Sequence, residues 1–200
     1  MIFLVRHGQT EFNVEGRMQG RRDSPLTPLG VEQARRMGAC LKDLVEDPAT
    51  VELIASPLGR TVRTAEIIRE TAGLDCRIVA DERLAEVHLG EWEGLTREEI
   101  APLAPPGLID SPGWLCRTPG GETFEQLVAR LSSFLADVDE TDGRRRLVVA
   151  HGGSGRVLRA LYSEAPREHV WLGEWPPQDA VFRLHGGVVG RVDAGAEADA

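Results

Sequence analysis

Two histidines in this chain stand in the same local setting. The run Met1–Val5 is apolar and leads into Arg6, His7 and Gly8, and the later run RLVVA leads into His151, Gly152 and Gly153. A short apolar run that stops at a glycine reads as a buried strand. In open parallel sheets, ligands bind beyond the carboxyl ends of the strands. If the two strands are neighbours, both imidazoles face one crevice, with Arg6 beside the first. A second arginine belongs to the same edge: Ser56-Pro57-Leu58-Gly59-Arg60 opens a helix directly after the run VELIA. Gly152 and Gly153 open another helix there and offer backbone N–H groups to an anion. Two histidines, two arginines and two helix N-termini make an anion pocket, and the natural anion is phosphate.

The elements that must position these groups alternate. Behind Met1–Val5, residues 8–26 are rich in Gly, Arg, Asp and Ser and read as a long loop. Thr27-Pro28 looks like an N-cap followed by proline at the first helical position. The helix that follows carries Leu29, Ala34, Met37, Leu41 and Leu44 on one side and is expected to stop near Asp47-Pro48. VELIA is a second strand, and Ser56-Pro57 repeats the cap signal for a helix ending near Gly73. CRIVA is a third strand. The acidic stretch 81–94 is irregular and holds Glu82, Glu86, Glu91 and Glu93. Residues 102–120 contain a cluster of prolines and read as an excursion over the surface. Thr123–Val138 is helical in period, RLVVA is a fourth strand, and Gly153–Tyr162 a further helix. Ala180–Leu184 and Val188–Val192 flank His185-Gly186-Gly187 as a terminal hairpin. Strands alternating with helices imply βαβ units and a mostly parallel sheet covered on both faces.

Composition narrows the function. The net charge of −9 opposes nucleic-acid binding, which needs a basic face. A few local arginines can still reverse the field inside one pocket. Cys40, Cys76 and Cys116 are far apart and form no CxxC pair, so neither zinc nor a redox motif is supported, and three unpaired thiols fit a reducing cytoplasm. The N-terminal apolar run is too short for a signal peptide or a membrane span.

Longer motifs resolve the anion pocket into a family. R-H-G-x-T-x-x-N at Arg6–Asn13, S-P-L-x-R-x-x-x-T-A at Ser56–Ala65, L-x-E-x-x-x-G-x-W-E-G at Leu84–Gly94 and V-A-H-G-G at Val149–Gly153 follow one another along the chain. Together they resemble the signature of the histidine phosphatase superfamily, the phosphoglycerate mutase-like proteins. The resemblance implies a three-layer α/β/α sandwich around a mostly parallel sheet. It makes His7 the nucleophile that becomes a phosphohistidine, and Arg6, Arg60 and His151 the ligands of the phosphoryl oxygens. Glu86 is the implied proton donor, with Asn13 and the Gly152 N–H as auxiliary phosphate contacts. Gln19, in a stretch the family also shows, is expected to line the pocket.

These motifs lead to one expected domain over 1–193, with a lid-like excursion at 102–120 and a disordered tail at 194–200. The expected activity is hydrolysis of a phosphomonoester without metal or cofactor. The alternatives are a phosphoglycerate mutase, which would return the phosphoryl group to a bound sugar acid, and a non-catalytic phosphate-binding module. The bridge from Glu86 to His151 holds one excursion and one helix, a small cover that favours water as the acceptor. The excursion PLAPPGLIDSPGWLCRT carries Trp114, Leu108, Ile109 and Leu115 but one basic residue, Arg117, which favours a monophosphate with apolar character. The expected partner is a small phosphorylated metabolite, not a nucleic acid or a membrane, and a homodimer is allowed. His88, His169 and His185 belong to no motif and are expected to be structural or exposed. Gly155 and the segment WPPQDAVF depart from the family pattern and reshape the pocket wall.

Overall fold

β1 (Ile2–Arg6) lies at the centre of a six-stranded sheet with the order β3-β2-β4-β1-β5-β6. The computed structural model describes residues 1–172 and 175–194. β1 pairs in parallel with β4 (Arg145–Ala150), in a register that sets Arg6 opposite Ala150. β4 pairs in parallel with β2 (Val51–Ala55), and β2 with β3 (Ile78–Ala80). On its other side β1 pairs antiparallel with β5 (Ala180–His185), which continues into the edge strand β6 (Val188–Asp193). The sheet is therefore mixed, with a parallel block that carries both histidine-terminated strands as neighbours.

Successive side chains of a strand point to opposite faces, so a strand covered on both sides must be apolar throughout. Phe3 and Val5 of β1 join Leu53, Leu147 and Val149 against α2 (Pro28–Leu44) and α3 (Gly59–Ala72). Ile2 and Leu4 turn the other way, with Val148 and Ala150, against α5 (Phe124–Ala136) and α6 (Gly152–Tyr162). This is the three-layer arrangement expected from the alternation of elements. Thr27 caps α2 and Thr123 caps α5, each accepting from the backbone N–H three residues on.

Local details differ from the sequence expectation. The first loop contains a short helix, α1 (Glu11–Val14), closed by a capping box between Thr10 and Asn13. α2 ends at Leu44, because Val45 turns extended before Asp47-Pro48 begins a 3-10 turn. α3 starts at Gly59 with Leu58 at its N-cap and no side-chain cap bond, so Ser56 is not its cap. A short helix, α4 (Arg97–Ile100), precedes the proline-rich excursion. Within 102–120, Trp114–Cys116 form a 3-10 turn, and Leu115 and Cys116 are buried in the second core cluster. Of the expected tail, Ala194 donates its N–H to the Asp179 carbonyl at 2.7 Å, and 195–200 lie outside the described residues. Among the described residues no helix is long and apolar enough to cross a membrane.

Gly8 and Gly30 explain how α2 fixes the loop after β1. A Cβ on Gly8 would fall 2.2 Å from the Gly30 carbonyl oxygen, and one on Gly30 would fall 2.0 Å from the Gln9 carbonyl oxygen. The first turn of α2 thus rests backbone to backbone on the segment that presents His7.

Candidate active site

The parallel pairing of β1 and β4 brings His7 and His151 to the same sheet edge. The His7 N–H donates to the Ala150 carbonyl at 3.0 Å, and the two imidazoles meet edge to face with centroids 5.2 Å apart. Both rings are buried, His7 at 2% and His151 at 1% exposure.

The partners of His7 fix its tautomer. Nδ1 lies 2.8 Å from the Gly8 carbonyl oxygen, which can only accept, so Nδ1 carries the proton. Arg60 Nε donates to Nε2 at 3.3 Å, so Nε2 holds the lone pair. Burial holds the His7 pKa well below the ordinary histidine value, and the charges of Arg60 and Arg6 push it the same way. His151 is lowered well below that value too, by burial first and then by Arg60.

Arg60 is 1% exposed and is held by the loop expected to line the pocket. Its Nη1 donates to the Arg22 carbonyl at 2.8 Å and to Asp23 Oδ1 at 3.1 Å, and its Nη2 to the Gly20 carbonyl at 2.8 Å. Arg6 donates from Nη1 to the Pro176 carbonyl at 2.8 Å. Its Nε is buried with no partner among the described residues, and so is Nδ1 of His151. The other nitrogen of His151, Nε2, sits 2.7 Å from Ser56 Oγ.

The expectation that Gly153 offers its N–H to an external anion is corrected by the structure. Gly153 N–H donates to Glu86 Oε2 at 3.0 Å, and Ser154 N–H to Oε1 at 2.8 Å. The anion at the N-terminus of α6 is the chain's own carboxylate, which also accepts from Val87 N–H at 3.0 Å. The Glu86 backbone is anchored by Arg130, which donates to its carbonyl at 3.3 Å and is paired to Glu122 at 2.6 Å. Among the other acidic residues of this stretch, Glu93 has a different task, accepting from the N–H groups of Arg21 at 2.8 Å and Leu89 at 3.1 Å.

A cavity of about 480 Å³ opens over this centre, with Arg6, His7, Arg60, Glu86 and Gly152 among its lining residues. Asn13 and Gln19 line it as well, and of the residues expected at the site His151 alone is not among the lining residues. Asn13 is tied into the wall: its Oδ1 accepts from Thr10 N–H at 3.1 Å and from Gln178 Nε2 at 3.0 Å. Gln178 belongs to WPPQDAVF, the segment expected to reshape the pocket wall, although the sequence does not single it out. It lies in the segment before β5, and its Nε2 also reaches the His7 carbonyl at 3.3 Å. Trp175, from the same segment, lines the cavity at 49% exposure, and a Cβ on Gly152 would stand 3.2 Å from its ring. Trp114 and Leu115 bring the excursion into the lining as well.

The basic residues of the wall are also not the expected one. Arg117 turns away to Ser111 and the Pro112 carbonyl. Arg17 and Arg97 line the cavity instead, Arg17 paired with Glu15 and Glu99 and Arg97 with Asp110. Among the described residues no group of three or more His, Cys, Asp or Glu side chains is placed to hold a metal ion.

Comparison with known proteins agrees with this geometry. Residues 2–185 match the model of the histidine phosphatase superfamily (branch 1), and the chain belongs to that family. A probable phosphoglycerate mutase, GpmB, of Salmonella paratyphi C is 39% identical over 166 residues, covering 76% of this chain and 69% of the relative. The solved structure of Bacillus stearothermophilus YhfR superposes with a TM-score of 0.80 at 35% identity, covering 98% of this chain and 97% of that one. A mycobacterial glucosyl-3-phosphoglycerate phosphatase, Rv2419c, solved in complex with VO3, gives 0.78 at 30% identity and 96% coverage of both chains. The fold and family place the protein among phosphatases and mutases.

Proposed function

We propose that the protein is a phosphomonoesterase that hydrolyses a small phosphorylated metabolite through a phosphohistidine on His7, with no metal requirement. The observation that carries this reading is the state of His7: a buried, neutral imidazole whose Nε2 lone pair faces the cationic Arg60 on the cavity surface. Nε2 attacks phosphorus and the ester P–O bond breaks. Glu86 enters this step in its protonated form, gives that proton to the leaving oxygen and is left as the carboxylate that the Gly153 and Ser154 N–H groups stabilise. Water then attacks the phosphohistidine, Glu86 takes a proton from that water, and phosphate departs with Nε2 restored. Arg6 and Arg60 supply the positive field a metal would otherwise provide to the charge that develops on the equatorial oxygens, and His151 adds a neutral N–H donor.

The walls support an ester with an apolar or ring-shaped body, because Trp114, Trp175, Leu115 and Met18 line the cavity. The named activity of the mycobacterial neighbour favours hydrolysis. The Salmonella relative's name favours the second reading, a phosphoglycerate mutase, for which Arg17 and Arg97 would meet the acid group. Rapid acid-free quenching with labelled substrate tests the main reading: label should be trapped on His7 as an alkali-stable phosphoenzyme and be lost in His7→Ala. With 3-phosphoglycerate the phosphatase should release glycerate and phosphate, or not react. Label on serine or aspartate, or primer-stimulated interconversion of the phosphoglycerates outpacing phosphate release, would overturn it.

A further inference from the structure

Ser56 looks in the sequence like a helix cap, yet its hydroxyl plays no part in capping α3. It is fully buried at 0% exposure, and it meets the ring of a histidine from a different strand, Nε2 of His151, at 2.7 Å. The oxygen accepts at long range from Leu58 N–H, 3.5 Å away, and among the described residues the ring nitrogen is the one acceptor within reach of its proton, so the hydroxyl donates to the ring. An imidazole that accepts at Nε2 carries its proton at Nδ1. That atom is buried and unpartnered among the described residues, as is Nε of Arg6, which can only donate. Two buried N–H groups without an acceptor among the described residues, beside His7 and two arginines, suit a phosphoryl oxygen as their acceptor.

We infer that Ser56 is a positioning residue that sets the tautomer of His151, holding Nε2 as acceptor so that Nδ1–H is presented as a neutral donor to the phosphoryl group. Its purpose rests on the phosphohistidine reading, but the tautomer itself does not. The two catalytic rings are then fixed by unlike partners. Gly8 offers a carbonyl and leaves His7 Nε2 unprotonated for attack, while Ser56 offers a hydroxyl proton and leaves His151 Nδ1 protonated for binding. Without the hydroxyl, His151 is free to exchange its proton between the two nitrogens, and to turn a lone pair toward the anion.

Nitrogen-15 NMR of histidine-labelled protein tests this directly at pH 7.5. In the wild type, His151 should show a protonated Nδ1 and an unprotonated Nε2. In Ser56→Ala that assignment should shift toward a mixture, with orthovanadate binding weakened about tenfold and kcat/KM reduced ten- to hundredfold. Ser56→Thr, which keeps the hydroxyl, should restore the wild-type ring signals. A proton on Nε2 of His151 in the wild type would overturn the inference, whatever the variants do. So would a Ser56→Ala protein with unchanged ring shifts and vanadate affinity. Absence of any phosphoenzyme in the wild type would sink the proposed function but leave the NMR assignment standing as a separate result.

Discussion

Arg60 donates from Nε to Nε2 of His7 at 3.3 Å, so the atom proposed to attack phosphorus is matched in the resting protein by a guanidinium N–H. The same side chain holds three backbone or carboxylate acceptors of the 20–23 loop, which ties the partner of His7 to the pocket wall. A cation here disfavours the imidazolium and keeps the lone pair available.

Replacing Arg60 by lysine removes the fork that serves His7 and the loop together. A single ammonium cannot reach all of these acceptors. Arg60→Lys should lower kcat by at least about a hundredfold, roughly 2.7 kcal/mol of barrier. Steady-state kinetics with p-nitrophenyl phosphate check it, and near-wild-type turnover would show that positive charge alone suffices.

The ionisation of the two rings gives a pH prediction with a definite sign. Both folded-state pKa values are lowered, so the neutral rings persist as pH falls below the ordinary value of about 6.5. Stability from these neutral rings is complete above the unfolded value and is lost only as pH falls toward the folded one. In an NMR titration from pH 8 to pH 6, neither His7 nor His151 should protonate. A midpoint near 6.5 for either ring would contradict the buried cationic setting.

Glu86→Gln should separate substrates by leaving group. The amide keeps an acceptor for the α6 N–H groups but has no proton to give. Alkyl phosphates should slow by about 10²–10⁴-fold, while p-nitrophenyl phosphate, whose leaving group departs unaided, should slow far less. Equal losses on both would assign Glu86 to holding the helix rather than to proton transfer.

Trp175 is half exposed beside Gly152, where the body of an ester would leave the phosphoryl site. Trp175→Ala should therefore reduce kcat/KM for aryl and sugar phosphates by about tenfold or more, the worth of an aromatic contact of roughly 1.5 kcal/mol. Vanadate affinity should change less than threefold. A uniform loss across short and bulky esters would place the indole in the phosphate site itself.

The parts of this site that the sequence showed are those written in contiguous residues. Arg6-His7-Gly8 and His151-Gly152-Gly153 each follow an apolar run, and the parallel register of β1 and β4 does the rest. What was hidden depends on pairing between distant segments. The sequence places WPPQDAVF at the pocket wall, but that Trp175 and Gln178 are its contributing side chains follows from the antiparallel pairing of β5 with β1. Arg17 and Arg97 flank the cavity although neither lies in the excursion where a basic residue was sought. Ser56-Pro57 has the composition of a helix start, but tertiary demand took the hydroxyl for His151. α1 is four residues long and depends on the Thr10–Asn13 capping box, too short a pattern for periodicity to reveal.

The strand order also fixes when the site can exist during synthesis. His7 leaves the ribosome first, but its neighbour across the sheet is β4, and the cavity wall at Trp175 and Gln178 comes later still. At roughly 5–20 residues per second, the second histidine follows the first by about 7–30 seconds. Throughout that interval β1 is an apolar segment without its partners on either side, the kind of stretch that chaperones shield. A phosphate ligand can stabilise only a chain whose two histidines have met, so it cannot assist the early steps. A nascent chain arrested before β4 should neither bind vanadate nor resist protease in its presence, and a released full-length chain should do both.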